Sequence, residues 1–220
     1  MKKITLTDEF VKNHKLNIID KRSVYIEQGV AIGNNVTIYP NNYIVGKTTI
    51  GDNVTIKPNC YIDSCTIGNE SLIISSYIEN AEIGKNVLVG PFARLRNGAV
   101  INDNVKIGNF VEVKKSVVGE DSKASHLAYI GDATIGKGCN IGCGAIFVNY
   151  DGKDKHRSTV GDNCFIGSNC NVIAPCEIED DSYICAGTTV TKKVDKGDFV
   201  IGRVRQEHKK NYKHKYLKKD

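Results

Sequence analysis

The chain has 220 residues, with 30 Lys and Arg against 25 Asp and Glu, so its formal net charge is +5. Eight of the basic residues and two of the acidic ones lie in 203–220, which leaves 22 basic and 23 acidic residues in 1–202. A nearly neutral body with a basic tail argues against a broad nucleic-acid-binding face.

The apolar composition favours strands over helices. Ile and Val together number 47, whereas Leu occurs 7 times, and β-branched side chains lose little rotamer freedom in a strand. No stretch approaches the ~20 apolar residues of a membrane span, and no apolar segment follows the basic start, so we expect neither a span nor a secretory signal. The eight Cys form no C-x-x-C pair, which indicates reduced thiols in the cytoplasm and argues against a zinc site.

Residues 1–23 lie outside the repeat that organises the rest of the chain. Within them, Thr7, Asp8 and Glu9 come directly before two apolar residues, a pattern typical of a helix start. We therefore predict that 1–23 is a short N-terminal cap that covers the first turn of the following domain.

Between residues 24 and 202, an apolar residue recurs every six positions, with occasional five-residue steps. A period of six fits neither a helix nor a simple alternating strand. It predicts a three-sided coil in which each hexapeptide forms a strand and a tight corner of Gly or Asn, with about 18 residues per turn. The uninterrupted runs, whose side chains should point inward, are Ile32, Ile38, Ile44, Ile50, Ile56 and Ile62; Ile83, Val89, Leu95, Ile101, Ile107 and Val113; and Val160, Ile166, Val172, Ile178, Ile184 and Val190.

This period resembles that of the hexapeptide-repeat family. The resemblance implies an all-β fold, a single-stranded left-handed parallel β-helix, and the trimeric assembly that is usual in that family. An ordinary β-sandwich is the alternative fold.

Residues one turn apart should stack on one face of the coil, and side chains that directly follow an inward-pointing residue should project outward. Arg96 and Lys114 are 18 apart, and two cations ~5 Å apart repel by roughly 1 kcal/mol even in water. A phosphate that bridges both would explain the pair, whereas a solvated face neutralised by Glu112 is the alternative. Ser168 and Ala186 are also 18 apart, and they predict either a narrow groove for an extended ligand or ordinary corner residues.

His126 is the only His within the regular repeats. A lone His is more often structural, but a neutral imidazole suits the base that acyl transfer to an amine requires. The repeat is interrupted between Phe147 and Val160, which predicts a loop at 148–159 extruded from the coil. Such loops either carry binding residues or are plain surface excursions.

Four segments then resemble one enzyme in particular: 90–96 (GPFARLR), 108–115 (GNFVEVKK), 126–133 (HLAYIGDA) and 149–152 (NYDG). Over about residues 24–206, the chain resembles the acetyltransferase domain of the bacterial bifunctional enzyme that makes UDP-N-acetylglucosamine. The resemblance implies transfer of acetyl from acetyl-CoA to the amine of an amino-sugar 1-phosphate, with glucosamine 1-phosphate expected, in the cytoplasm. It implies a homotrimer with sites between subunits and no metal requirement.

The same resemblance assigns roles to residues. The predicted catalytic residues are His126, as general base, and Asn149. The predicted contacts to the sugar phosphate are Arg96 and Lys114, on the phosphate, with Tyr129, Asn140 and Lys155 on the sugar. The predicted acetyl-CoA contacts are Cys143, Asn149, Tyr150, Ser168, Ala186 and Arg203, the last near the CoA phosphates.

The chain departs from that family at several positions. Ala128 and Ala145 replace Thr, and Cys143 replaces Ala, so the contribution of these side chains stays open. No G-x-G-T-R loop of a nucleotidyltransferase is present, and we expect any uridylyl transfer to come from a separate protein. Galactosamine 1-phosphate stays open as the acceptor. In the tail 203–220, we expect residues up to about Lys209 to face CoA phosphates and the remainder to be solvated.

Two other functions compete with this interpretation. A metal hydratase resembling the γ-type carbonic anhydrases would need about three His around a metal. His14, His156, His208 and His214 are not spaced as two ligands on one repeat face. A non-catalytic solenoid, acting as a scaffold or binding a sugar nucleotide, is the second alternative.

Overall fold

The computed structural model describes residues 8–210 and 212. Within them, one helix, α1 (Asp8–Asn13), precedes 28 short strands. The strands are β1 (Asn17–Ile18), β2 (Val24–Ile26), β3 (Ala31–Ile32), β4 (Thr37–Ile38), β5 (Asn42–Val45), β6 (Thr49–Ile50), β7 (Thr55–Ile56), β8 (Tyr61–Asp63), β9 (Thr66–Ile67), β10 (Leu72–Ile73), β11 (Tyr77–Glu79), β12 (Ala81–Ile83), β13 (Leu88–Val89), β14 (Arg94–Arg96), β15 (Ala99–Ile101), β16 (Lys106–Lys114), β17 (Val117–Val118), β18 (Lys123–Gly131), β19 (Ala133–Ile135), β20 (Asn140–Ile141), β21 (Ile146–Val148), β22 (Ser158–Val160), β23 (Phe165–Ile166), β24 (Asn171–Ile173), β25 (Cys176–Ile178), β26 (Tyr183–Ile184), β27 (Thr189–Val190) and β28 (Phe199–Val200).

The strands form three faces because each pairs in parallel with strands one turn away. Face A contains β1, β4, β7, β10, β13, β20, β23, β26 and β28. Face B contains β2, β5, β8, β11, β14, β21, β24 and β27, and face C contains β3, β6, β9, β12, β15, β17, β19, β22 and β25. The two nine-residue strands β16 and β18 cross the corner from face A to face B. With about 10 turns, the predicted left-handed parallel β-helix is confirmed.

The core of the coil is the apolar residue of each hexapeptide. Every residue of the three runs predicted to point inward is buried, and none is more than 8% exposed. Burying one such side chain contributes roughly 1.5–3 kcal/mol, so the repeat accounts for the main stabilising term. Ile78, which is also fully buried, lies on the stretch where five-residue steps interrupt the period.

The corners of the coil have left-handed backbone, and most hold Asn, Gly, Asp or Ser. The corner between faces A and B is unusual, because Phe92, Phe110 and Leu127 occupy it at φ 58°, 57° and 39°. Bulky side chains seldom adopt this conformation, which short polar residues and glycine tolerate best. All three side chains are more than half exposed, and the rings of Phe92 and Phe110 stack 5.6 Å apart. We call these three residues the apolar corner.

The ends of the coil adjoin the predicted cap and tail. Val11 of α1 packs against the core, whereas residues 1–7 lie outside the described part of the chain. β1 already pairs with β4, so the coil extends into the segment predicted as cap. Residues 203–210 are exposed, and the rest of the predicted tail apart from Tyr212 lies outside the described residues. No described helix is long and apolar enough to cross a membrane.

Candidate functional site

Arg96 and Lys114 stack as predicted. They are direct partners in the register of β14 and β16, on adjacent turns of face B. Arg96 Nε donates to Glu112 Oε1 at 2.7 Å, so the carboxylate named in the alternative interpretation does neutralise this cation. The prediction that both side chains project outward is wrong for Lys114, whose side chain is 8% exposed, because it turns toward the neighbouring corner.

Lys114 turns toward Asp132, which is not among the site residues predicted from the sequence. Lys114 Nζ donates to Asp132 Oδ2 at 3.1 Å, and the Asp132 side chain is 11% exposed. Burial opposes the charge of Asp132, but hydrogen bonds from Asn149 and Lys114 outweigh it and keep the pKa of Asp132 below its usual value. Asp132 follows Lys114 by 18 residues, but a five-residue step intervenes, so Gly131 is the register partner of Lys114 and the stacking rule does not single out Asp132.

Asn149 joins the same group from the start of the loop. Its Nδ2 donates to Asp132 Oδ2 at 2.5 Å and lies 3.5 Å from the hydroxyl of Tyr129. The Tyr129 ring folds over Gly131, where a methyl group would lie 2.5 Å from the tyrosine hydroxyl oxygen. Glycine at 131 therefore leaves the space that brings Tyr129 to Asn149.

Lys155 brings a second ammonium group to Lys114. Burial opposes the charge of Lys114, but the adjacent Lys155 nitrogen and the hydrogen-bonded carboxylate of Asp132 raise the pKa of Lys114. The contact with Lys114 and the repulsion between the two groups lower the pKa of Lys155. Three of the predicted sugar-phosphate residues, Lys114, Tyr129 and Lys155, thus lie around Asp132 and Asn149, with Arg96 one turn below Lys114.

His126 lies on β18, three residues before Tyr129, and its side chain is exposed. Its Nδ1 lies 2.5 Å from Oδ1 of Asn109, its register partner on β16. With this carbonyl oxygen as acceptor, Nδ1 carries the proton and Nε2 is left as the basic nitrogen. Asn109 was not selected from the sequence, because its 17-residue separation from His126 falls at a five-residue step.

The loop between β21 and β22 is organised by hydrogen bonds around Asp151. Asp151 Oδ1 accepts from the amides of Lys153 and Asp154, while His156 Nε2 pairs with Asp151 Oδ2 at 2.7 Å. The bond from the Asp154 amide, together with His156 and the Lys153 amide, lowers the pKa of Asp151. An antiparallel β-bridge between Tyr150 and Lys155 joins the two sides of the loop.

Arg157 fastens the end of this loop to face C. Its guanidinium donates to Thr134 Oγ1 at 3.0 Å and to the carbonyl oxygens of Ala133 and Lys115 at 3.0 and 3.3 Å. No spacing in the sequence signalled these contacts, because they depend on where the loop returns to the coil.

An open cleft of about 420 Å³ lies beside Tyr129. It is lined by Phe110, Glu112, Leu127, Ala128, Tyr129, Gly144 and Ile146. Apart from Glu112 and the Tyr129 hydroxyl, the residues that line the cleft are apolar. Two of them, Phe110 and Leu127, belong to the apolar corner. At Ala128, where the resembling family has Thr, the cleft has a small apolar wall.

Four of the six residues predicted to contact acetyl-CoA form a column on the corner between faces A and B, whereas Asn149 and Tyr150 lie at the start of the loop after β21. Cys143, Ser168 and Ala186 are exposed on successive turns. The backbone N–H of Asn169 donates to the carbonyl oxygen of Cys143, and that of Gly187 donates to the carbonyl oxygen of Ser168. The predicted stacking of Ser168 on Ala186 is confirmed. Arg203 Nη1 donates to the carbonyl oxygen of Ala186 at 3.0 Å and extends the column.

Asn140 stands apart from the other predicted sugar contacts. It lies on face A, in register with Lys123 and Phe165, whereas Tyr129 lies on face B. Within one chain the structure does not bring Asn140 to the group around Asp132. Among the residues that the structure describes, no three or more His, Cys, Asp or Glu side chains are grouped to hold a metal ion.

Comparisons with known proteins agree with the fold and the motifs. The family described as Bacterial transferase hexapeptide (six repeats) matches residues 157–192, and the GMPPB C-terminal domain matches residues 14–105. The chain contains a hexapeptide-repeat domain. The UDP-N-acetylglucosamine acyltransferase from Campylobacter jejuni shares this fold with the repeat chain, at 16% identity and a TM-score of 0.55, over 81% of this chain and 68% of that one.

More similar sequences are found among proteins called Bifunctional protein GlmU. The hexapeptide-repeat chain is 48% identical to the one from Pelobacter propionicus over 93% of its own length, and 52% identical to one from Clostridium perfringens over 88%. It spans 45% and 42% of the length of these two relatives. The resemblance predicted from the four motifs is thereby confirmed.

Proposed function

We propose that the chain is an N-acetyltransferase that transfers acetyl from acetyl-CoA to the amine of an amino-sugar 1-phosphate, with glucosamine 1-phosphate as acceptor. The observation that carries the proposal is the placement of His126, with Nε2 as its basic nitrogen, on the strand that presents Tyr129 beside Lys114. The identity to GlmU, which covers the acetyltransferase part of those proteins, supports the same activity.

The cations of face B suit the phosphate. Arg96 and Lys114 stack one turn apart, and Lys155 adds a third positive group, so a dianion would find charge-assisted hydrogen bonds from several directions. Glu112 and Asp132 orient the first two cations. Tyr129, on the next turn of the coil, would contact the sugar ring.

The proposed chemistry uses Nε2 of His126, the ring nitrogen that does not contact Asn109. The substrate amine attacks the thioester carbonyl carbon, and a C–N bond forms as the C–S bond breaks. His126 Nε2 accepts the proton that the amine loses and returns it to the departing thiolate of CoA. Asn149, fixed by Asp132, would donate a hydrogen bond at the acetyl end, beside Tyr150.

The acyl donor would lie along the corner between faces A and B. Cys143, Ser168 and Ala186 form an exposed column of small residues, which suits an extended pantetheine chain. Arg203, at the far end of that column, would meet the CoA phosphates. We also propose a cytoplasmic location, which suits eight cysteines that are all free.

A CoA-release assay across a panel of amino sugars tests the proposed function. We expect turnover with glucosamine 1-phosphate, less with galactosamine 1-phosphate, and little with unphosphorylated glucosamine. If no acceptor releases CoA but calorimetry detects sugar-nucleotide binding, the non-catalytic solenoid replaces this proposal. Metal analysis tests the metal hydratase, which the absence of stoichiometric zinc in the purified protein would dismiss.

We propose that the assembly is a homotrimer with sites between copies, because two features of one chain are incomplete. Asn140 lies on face A and the remaining sugar contacts lie on face B, so a second copy is needed to bring both to one substrate. The apolar corner lies between these faces, and three large exposed apolar side chains in a row are typical of a surface that another protein covers.

Replacing Phe110 with Asn is expected to shift the trimer toward monomers. Asn fits the left-handed backbone at this position but removes the exposed ring that stacks on Phe92. Light scattering coupled to size-exclusion chromatography measures the mass of each variant. Ile19→Asn, which removes an exposed apolar side chain near the first turn, is the control. A wild-type chain that is monomeric at all concentrations would contradict the proposed trimer.

A further inference from the structure

Asp132 occupies one position in a column of corner residues between faces B and C. The register of the flanking strands places Gly46, Ser64, Asn80, Asn97 and Lys115 below it in the column. All six have left-handed backbone, with φ between 47° and 66°. None of the other five has a carboxylate, so the fold does not require one at this corner. The carboxylate at 132 therefore calls for another explanation.

The two hydrogen bonds of Asp132 link separate parts of the molecule. Lys114 comes from the turn below, at the end of β16, while Asn149 comes from the start of the loop that carries Lys155. Both bonds converge on the same oxygen, Oδ2, and the Asp132 and Lys114 side chains are about nine-tenths buried. A buried ammonium group without a carboxylate partner would be strongly unfavourable, so Lys114 holds its direction through Asp132.

We propose that Asp132 is a positioning residue that aims Lys114 at the substrate phosphate and fixes the loop 149–157 against the coil. It acts through Lys114 and Asn149 and does not itself touch the substrate. The role of Asp132 in aiming Lys114 rests on the proposed function. Its role in fixing the loop 149–157 does not depend on that function.

Asp132→Asn tests the role of the charge with the least change in shape. Asn tolerates the left-handed backbone, and its amide can still contact Asn149, but it no longer pairs with the ammonium of Lys114. We expect the KM for glucosamine 1-phosphate to rise by about 10-fold to 100-fold, in the range of a lost hydrogen bond to a charged group. The KM for acetyl-CoA should change far less, because the amide of Asn can still hold Asn149 and the predicted contacts to the rest of the CoA chain, Cys143, Ser168 and Ala186, lie on another corner.

The control is Asp121→Asn, which removes an exposed carboxylate from a left-handed corner on the preceding turn. It should leave both KM values and the melting temperature unchanged. If Asp132 served stability alone, Asp132→Asn would lower the melting temperature and leave the two KM values in their original ratio, which would overturn the proposal.

A double-mutant cycle separates action through Lys114 from a general defect. In a Lys114→Gln background, Asp132→Asn should raise the KM for the sugar phosphate by less than about 3-fold, since the group it orients is already gone. Multiplicative effects of the two substitutions would show that Asp132 acts independently of Lys114 and would contradict the assignment.

Trypsin cleavage gives a measurement that needs no turnover. The loop contains Lys153, Lys155 and Arg157, and cleavage there requires it to open. Asp132→Asn should speed this cleavage at least several-fold relative to the wild type and Asp121→Asn, even if the chain proves to have no acetyltransferase activity. If Asp132→Asn does not fold, Asn149→Ala breaks the same link from the loop side and should give the same faster cleavage. Unchanged cleavage in the folded variant would overturn the loop part.

Discussion

Replacing His126 with Ala is expected to lower kcat by about 10²-fold to 10⁴-fold, the usual contribution of a positioned general base. The loss should fall on kcat, because in the proposed mechanism His126 accepts the proton of the attacking amine while Arg96 and Lys114 hold the phosphate. Both KM values should therefore stay within a few-fold of wild type. Release of the CoA thiol, followed with a chromogenic disulfide reagent, measures both parameters.

Two controls make the result for His126 specific. His14→Ala removes a histidine between α1 and β1, at the N-terminal end of the coil and several turns from His126, and should leave kcat unchanged. Imidazole in the buffer should restore part of the rate of His126→Ala, because the exposed position of the ring leaves an opening for it. A His126→Ala protein that acetylates glucosamine 1-phosphate at the parent rate would remove this mechanism.

The fold could be predicted from the sequence because its core repeats. Each apolar residue of a run, such as Ile50 or Ile107, occupies the same environment as its neighbours six positions away, so a weak signal is reinforced many times. The prediction was less complete where the step changes to five residues, as at Ile78. It did not anticipate the apolar corner, because the preference for Gly or Asn at left-handed positions gives no reason to place Phe110 there.

The candidate site could be predicted only as far as the repeat extends. Stacking rules placed Arg96 on Lys114 and Ser168 on Ala186, since a separation of one turn becomes a contact between neighbouring strands. The rule does not predict contacts that side chains make across a corner. The burial of Lys114 depends on the direction of its side chain at the end of β16, which spacing does not determine.

The interactions of the loop could not be predicted from the sequence for a different reason. Asn149 and Lys155 were selected through a family resemblance, and nothing in their spacing indicated that they meet at Lys114 and Asp132. The loop has its own hydrogen-bonded conformation around Asp151, and its return to face C depends on Arg157. Such contacts follow from the three-dimensional course of one irregular segment, for which the repeat offers no template.

Replacing Lys114 with Gln is expected to raise the KM for glucosamine 1-phosphate by about 10-fold to 100-fold. A hydrogen bond to a charged group contributes about 1.5–3 kcal/mol, and each 1.4 kcal/mol is about a factor of ten. The amide of Gln can still donate toward Asp132, so the buried carboxylate keeps a partner and the coil should remain folded. The KM for acetyl-CoA should not change, and initial rates at varied concentrations of each substrate measure both constants.

The phosphate itself provides the decisive comparison for Lys114. With unphosphorylated glucosamine, wild type and Lys114→Gln should be equally slow, because the interaction that distinguishes them is missing. Lys106→Gln, at the exposed first position of the same strand β16, should behave as wild type with both acceptors. An equal loss with phosphorylated and unphosphorylated sugar would show that Lys114 supports the structure of the site and does not bind the phosphate. In that case the pairing of Arg96 with Glu112 would be better explained as a neutralised face than as half of a phosphate clamp.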